Sequence, residues 1–216
     1  MDKMKPLPDD LLSRYQAWRD GTFAEKQQDY EDLAENGQKP PYMVISCCDS
    51  RVNPTEIFGA AAGDMFIHRN IANLVPPYAP DGDHYGTSAA IEYAVLALKV
   101  ESLIVIGHSQ CGGVQAYHDL CSQENPPVKS AFEFVGPYLD ILRPAYGRID
   151  SAKPEAEQVV DLGHQGVIHS LENLLSFPFV AEAVAEGRLS LHGAWHDIGT
   201  GTLYTLDPDS GNFTKP

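Results

Sequence analysis

The sequence predicts an α/β fold with a mostly parallel central sheet flanked by helices. Three features carry that expectation. Short apolar runs, of which "ESLIVIGH" at 101–108 is the clearest, read as buried strands. Segments of helical character alternate with them, which is the pattern of a parallel sheet with crossover helices. Two stretches of chemically reactive residues, "ISCCDSRVNP" at 45–54 and "IVIGHSQCGG" at 104–113, fall where strands end, and open α/β sheets carry their chemistry there.

In chain order, residues 9–19 place Leu11, Leu12, Tyr15 and Trp18 at helical spacing, an amphipathic helix with an apolar stripe. Residues 25–37 form a more polar helix that Gly37 can close. Together they suggest a helical arm over 1–34, packed on its own domain or on a neighbouring subunit, ahead of an α/β domain over 35–216. "PYMVIS" at 41–46 and "DMFIHRN" at 64–70 read as strands, and the prolines and glycine of 75–86 as a loop. "TSAAIEYAVLALKV" at 87–100 is apolar nearly all round, so a buried helix is expected. A strand at 101–108 and a helix from Gly112 follow, then helices over 130–146 and 155–186, the last stopped by Gly187. "RLSLHGAWHD" and "TLYTLDP" read as a strand pair joined by the turn "IGTG".

The formal net charge of −15, with 30 acidic against 15 basic residues, is poorly suited to nucleic acid or to an anionic membrane surface. No apolar run approaches the roughly 20 residues of a membrane span, and the N-terminal stretch has no signal-like apolar core. A cytoplasmic protein is expected. The cysteines at 47, 48, 111 and 121 then read as thiols or metal ligands rather than as a disulfide framework.

Cys47 and Asp49 leave one strand end; His108 and Cys111 leave another. The H-x-x-C spacing lets both side chains turn towards one point, and the glycines after Cys111 let backbone approach closely. Two thiolates and an imidazole form a nitrogen-and-sulfur set that suits Zn²⁺, with a fourth position left for water or for Asp49. A buried free thiol near a core histidine is the plainer reading of any one of these residues, but not of two pairs at two strand ends. Adjacent side chains at a strand end point to opposite sides, so Cys47 and Cys48 do not both reach one metal. Cys121 reads as a core thiol on a helix face.

C-x-D-S-R, followed about sixty residues later by H-x-x-C-G-G, resembles the β-class carbonic anhydrases. Cys47 to Arg51 and His108 to Gly113 carry the resemblance, which continues through "HRNIANLVPP" at 68–77 and "AAIEYAVLALKV" at 89–100. It implies reversible hydration of carbon dioxide to bicarbonate and a proton by attack of zinc-bound hydroxide. Cys47, His108 and Cys111 would be the metal ligands, and Asp49, paired with Arg51, would orient the nucleophile. In one subclass the aspartate swings onto zinc as a fourth ligand in a closed state, and a tryptophan stands three before the first cysteine; this chain has Val44. The plant-like, open subclass implies Gln38 and Tyr93 as substrate-binding residues, with Phe66 and Ile71 as apolar pocket wall and Gly112 as backbone donor. The resemblance also implies a homodimer as minimum unit, built up to tetramers or octamers in the family. The apolar stripe of the N-terminal helix is an independent motive for assembly.

Three other readings fit parts of the pattern. Relatives of the family hydrolyse carbonyl sulfide or carbon disulfide on the same zinc site. A non-catalytic zinc protein sensing bicarbonate would not need Asp49 and Arg51. A thiol redox protein using Cys47 and Cys48 lacks the C-x-x-C arrangement.

Overall fold

The computed structural model describes residues 4–81, 85–122 and 132–216. The chain divides into two compact units, Met1–Gln38 and Lys39–Pro216.

The first unit holds α1 (Asp9–Trp18), a π-helical turn (Arg19–Phe23) and α2 (Gln27–Asn36). Asp9 and Asp10 in the first turn of α1 complement its dipole, and Gly37 ends α2 at φ 76°. Trp18 gathers Phe23 and Tyr30 about it, with ring centroids at 5.3 and 6.0 Å. The stripe read from the sequence nevertheless stays in the open, since Leu11, Tyr15 and Trp18 are all at least 40% exposed.

The second unit is built on a sheet of order β2-β1-β3-β4-β5-β6. Its strands are β1 (Tyr42–Cys47), β2 (Met65–Asn70), β3 (Ser102–His108), β4 (Ser190–His196), β5 (Leu203–Leu206) and β6 (Phe213–Thr214). β1 runs parallel to β2 and β3, and β3 parallel to β4. β5 and β6 complete the sheet antiparallel. The helices are α3 (Pro54–Ile57), α4 (Tyr85–Glu92), α5 (Gly112–Ser122), α6 (Val135–Leu139), α7 (Arg143–Tyr146), α8 (Glu155–Leu174) and α9 (Pro178–Ala185). Alternate residues of β1 serve opposite faces. Met43 and Ile45 join the core beneath α8 and α9, while Val44 joins Ile106 and Ala194 on the other side. Burial on both faces is why these strands are continuously apolar in sequence.

Four expectations need correction. The stretch 155–186 is two helices, because Pro178 cannot continue α8 and instead opens α9 at its first turn. The segment after 131 is broken likewise, into α6, a 3₁₀ turn (Asp140–Leu142) and α7, with Pro144 at the start of α7; residues 130 and 131 lie outside the described residues. The helix at 87–100 is not buried all round. It passes from α4 into a π-helical segment (Tyr93–Leu98), and Tyr93 and Leu96 are more than half exposed. Cys121 is exposed, not a core thiol. The short strand β6 gave no periodic signal because two residues are too few to show one.

Close packing of α8 on the sheet depends on glycine. A β-carbon at Gly163 would lie 2.7 Å from Cζ3 of Trp195, which is only 6% exposed. Alanine there gains about 1 kcal/mol of helix propensity but overpacks a confined indole at about 1–3 kcal/mol. Overpacking should win. Gly163→Ala is expected to lower the thermal midpoint by a few degrees; an unchanged or raised midpoint in a melting curve would contradict this packing.

Candidate active site

β1 and β3 are neighbours in the sheet and end side by side, so the loops leaving them converge. Cys47 closes β1, His108 closes β3, and Cys111 stands just before α5. Cys47 Sγ, Cys111 Sγ and a ring nitrogen of His108 all lie within 4.8 Å of one another, and all three residues are buried. The sulfurs are 3.9 Å apart. A disulfide would need about 2.05 Å. A tetrahedral ion with metal–sulfur bonds of about 2.3 Å would hold two sulfurs about 3.8 Å apart.

His108 is aimed for the same purpose. Its Nδ1–H donates to the Ser109 carbonyl at 2.9 Å, which fixes the tautomer and leaves the Nε2 lone pair free. Nε2 is buried and has no hydrogen-bond partner among the described residues, a costly arrangement unless something electrophilic occupies the position.

The thiols agree with this. The Cys111 thiol beside Cys47, helped by His108 and by the backbone N–H groups of Asp49 and Ala72, pulls Cys47 down to about 4 against the effect of burial. The Cys47 thiolate and then burial push Cys111 well above the usual thiol range, although N–H groups of Val114 and Gly113 at the start of α5 favour its charged form. Two buried thiolates at this distance repel, so both ionise together only around a cation. Cys48 is exposed and is not part of this cluster.

Asp49 and Arg51 form a fork. Arg51 Nε and Nη2 donate to Oδ1 and Oδ2 of Asp49 at 2.9 and 2.7 Å, and the Arg51 backbone N–H donates to Oδ1. Arg51 Nη2 also donates to the carbonyl of Gln110, tying the loop after β1 to the loop after β3. Gln110 presents that carbonyl from a left-handed backbone at φ 55°. The arginine holds the Asp49 carboxyl well below the usual carboxylate range, so it stays ionised at neutral pH.

Sequence reasoning missed Gln110 and Arg69. Arg69, next to the end of β2, donates to the carbonyls of Cys47, Asp49 and Val52, and so fixes the turn that carries both Cys47 and Asp49. The one available signal was a charge between His68 and Asn70 at the polar end of a strand that begins apolar. Ala72 and Asn73 are also left-handed, at φ 59° and 51°, in the turn beside the cysteines.

The residues expected to bind substrate are spread. Phe66 and Tyr93 pack ring to ring at 5.8 Å. Ile71 lies against the start of α5, where a β-carbon at Gly113 would come within 2.9 Å of its Cγ2. The close approach foreseen for the glycine pair therefore belongs to Gly113; a β-carbon at Gly112 would meet nothing within 4 Å. Gln38 is exposed at the end of the first unit. Val44 is fully buried in β1.

Residues 42–203 match the family model described as carbonic anhydrase. The chain is similar to beta carbonic anhydrase 3 of Arabidopsis thaliana, at 36% identity over 95% of this chain and 83% of that protein. It is also similar to the chloroplastic beta carbonic anhydrase 5 of the same plant, at 37% identity over 88% of this chain and 62% of that one. Among solved structures, a tetrameric beta-carbonic anhydrase of the filamentous ascomycete Sordaria macrospora superposes with a TM-score of 0.78 at 33% identity, covering 92% of this chain and 95% of that one.

Proposed function

The chain belongs to the β-class carbonic anhydrases, and from that membership we propose that it interconverts carbon dioxide and bicarbonate at a zinc ion held by Cys47, His108 and Cys111. The observation that carries this reading is the buried, unpartnered Nε2 of His108 facing two sulfurs 3.9 Å apart. Zinc, when bound, supplies a Lewis acid that brings the ionisation of water towards neutral pH.

The protein's own contribution is orientation and charge. Asp49, held ionised by Arg51, keeps lone-pair capacity beyond the arginine contacts. It accepts the hydrogen bond of the attacking water or hydroxide and aims the nucleophile at carbon dioxide. The Arg51–Gln110 contact keeps that carboxylate in place. Asp49 is thus spoken for by a rigid fork, which supports the open, plant-like arrangement rather than one in which the aspartate becomes a fourth ligand. Phe66, Ile71 and Tyr93 would wall the pocket, and Gln38 and the Gly112 N–H would hold a bicarbonate oxygen without protonating it. The four unbridged cysteines suit a reducing compartment such as the cytoplasm.

The test is stopped-flow carbon dioxide hydration followed with a pH indicator, on the purified chain before and after chelation and after zinc is restored. Hydration abolished by chelator and returned by zinc supports the reading. Hydration absent from zinc-loaded protein would sink it, and turnover of carbonyl sulfide instead would move the activity to that analogue.

Assembly follows the same reasoning. The exposed stripe of α1 and the half-exposed Tyr93 and Leu96 leave more apolar surface than a solvated monomer needs. A two-fold symmetric dimer would be the minimum unit, with tetramers as in the Sordaria macrospora relative. Light scattering on the full chain should give at least twice the mass of 23.6 kDa; a fully active monomer would refute it.

A further inference from the structure

We propose that His118, Asp119 and Glu155 form a second cation site, one that takes a divalent ion such as manganese through one imidazole nitrogen and two carboxylates. The three residues offer ligand atoms that all lie within 4.8 Å of one another. His118 and Asp119 stand on α5, and Glu155 opens α8. Seven residues of helical rise separate His118 from Cys111, about 10 Å, so the cluster is not part of the thiolate site.

A cluster of acids would carry little by itself. What points to a ligand here is the tautomer of His118. The ring is 2% exposed. Its Nε2 lies 3.1 Å from Oε1 of Gln158. The orientation of that amide is fixed from its other end, because Gln158 Nε2 donates to the carbonyls of Ser151 and Lys153 at 3.2 and 2.7 Å. Oε1 is therefore the end facing the ring, and it can only accept. His118 must donate through Nε2–H, which leaves Nδ1 as a bare lone pair in the neutral ring.

Nδ1 is buried and has no hydrogen-bond partner among the described residues. Oδ1 of Asp119 stands 4.0 Å from it, too far for a hydrogen bond. A buried acceptor thus faces an acceptor. Gln115 relieves only part of this, donating to Asp119 Oδ1 at 2.9 Å and at 3.5 Å to Glu155 Oε1. Each carboxylate keeps a second oxygen.

A cation resolves the arrangement. The Gln158–His118 contact is the outer hydrogen bond that metal-bound histidines carry, orienting the ring and raising its basicity. One nitrogen and two oxygens, with waters, suit manganese better than a soft ion that prefers sulfur. Asp119 and Glu155 are accessible enough for entry and for waters to fill the remaining positions.

Manganese(II) is the discriminating probe, since a two-thiolate site favours softer ions. Titration of the full chain carrying one equivalent of zinc, read by the loss of free Mn²⁺ signal in electron paramagnetic resonance, should show one bound ion per chain. The double variant Asp119→Asn/Glu155→Gln removes both anions at accessible positions and should fold normally. It should lose at least tenfold in Mn²⁺ affinity while its zinc content stays at one. Gln158→Leu, which removes only the outer acceptor, should weaken binding by about tenfold to a hundredfold. Absence of bound Mn²⁺ on the wild-type chain at 100-fold molar excess would overturn the proposal, as would equal binding by the double variant.

Discussion

Cys47→Ser should lose zinc and carbon dioxide hydration together, and His108→Ala should do the same. Both side chains are buried and converge with Cys111, so each variant removes one of the three proposed ligands. Metal affinity at such sites is the sum of ligands already held in place, and activity follows occupancy. The neighbouring cysteine is the control. Cys48 is exposed, so Cys48→Ser should keep about one zinc per chain and full activity. Elemental analysis beside stopped-flow rates decides the matter. If Cys48→Ser lost the metal while Cys47→Ser kept it, the assignment of the two cysteines would be reversed.

Asp49→Ala should separate metal from turnover. The Asp49 carboxylate is committed to Arg51 through both oxygens and is not among the three clustered ligands. Zinc content should therefore stay near one per chain while kcat falls by about 10² or more, the scale of losing a positioned proton acceptor. The ion pair holds Asp49 below the usual carboxylate range. A lowered carboxyl is lost only on acidification through that low value, so no change of activity above neutral pH should come from Asp49. Arg51→Ala frees the carboxylate and unties the loops joined through Gln110; it should also lower kcat, and by less, because the anion itself remains. Collapse of zinc binding in Asp49→Ala would instead make the aspartate an obligatory ligand.

Much of the candidate site could be read in the sequence because its parts are local. A cysteine or histidine at a strand end is placed by the strand itself, and an H-x-x-C turn aims two side chains at one point whatever surrounds it. The parallel sheet was equally legible, since burial of β1 and β3 on both faces writes itself as unbroken apolar runs. Helix limits at 155–186 were less so. Apolar continuity across Leu175–Phe177 hid a break that Pro178 imposes through its missing N–H.

The sequence by itself determined the strand-end ligand pairs, the alternation that makes an α/β fold, and the Asp49–Arg51 pair two residues apart. Only the tertiary structure decided that Arg69 pins the turn holding Cys47, that Gln110 turns its carbonyl to Arg51, that Gly163 must be small against Trp195, and that Glu155 meets His118 across two helices. The division has a physical cause. Short-range geometry is set by backbone periodicity, which a sequence displays. A carbonyl, a glycine or a buried lone pair acquires its meaning from whatever packs against it, and that neighbour is tens of residues away along the chain.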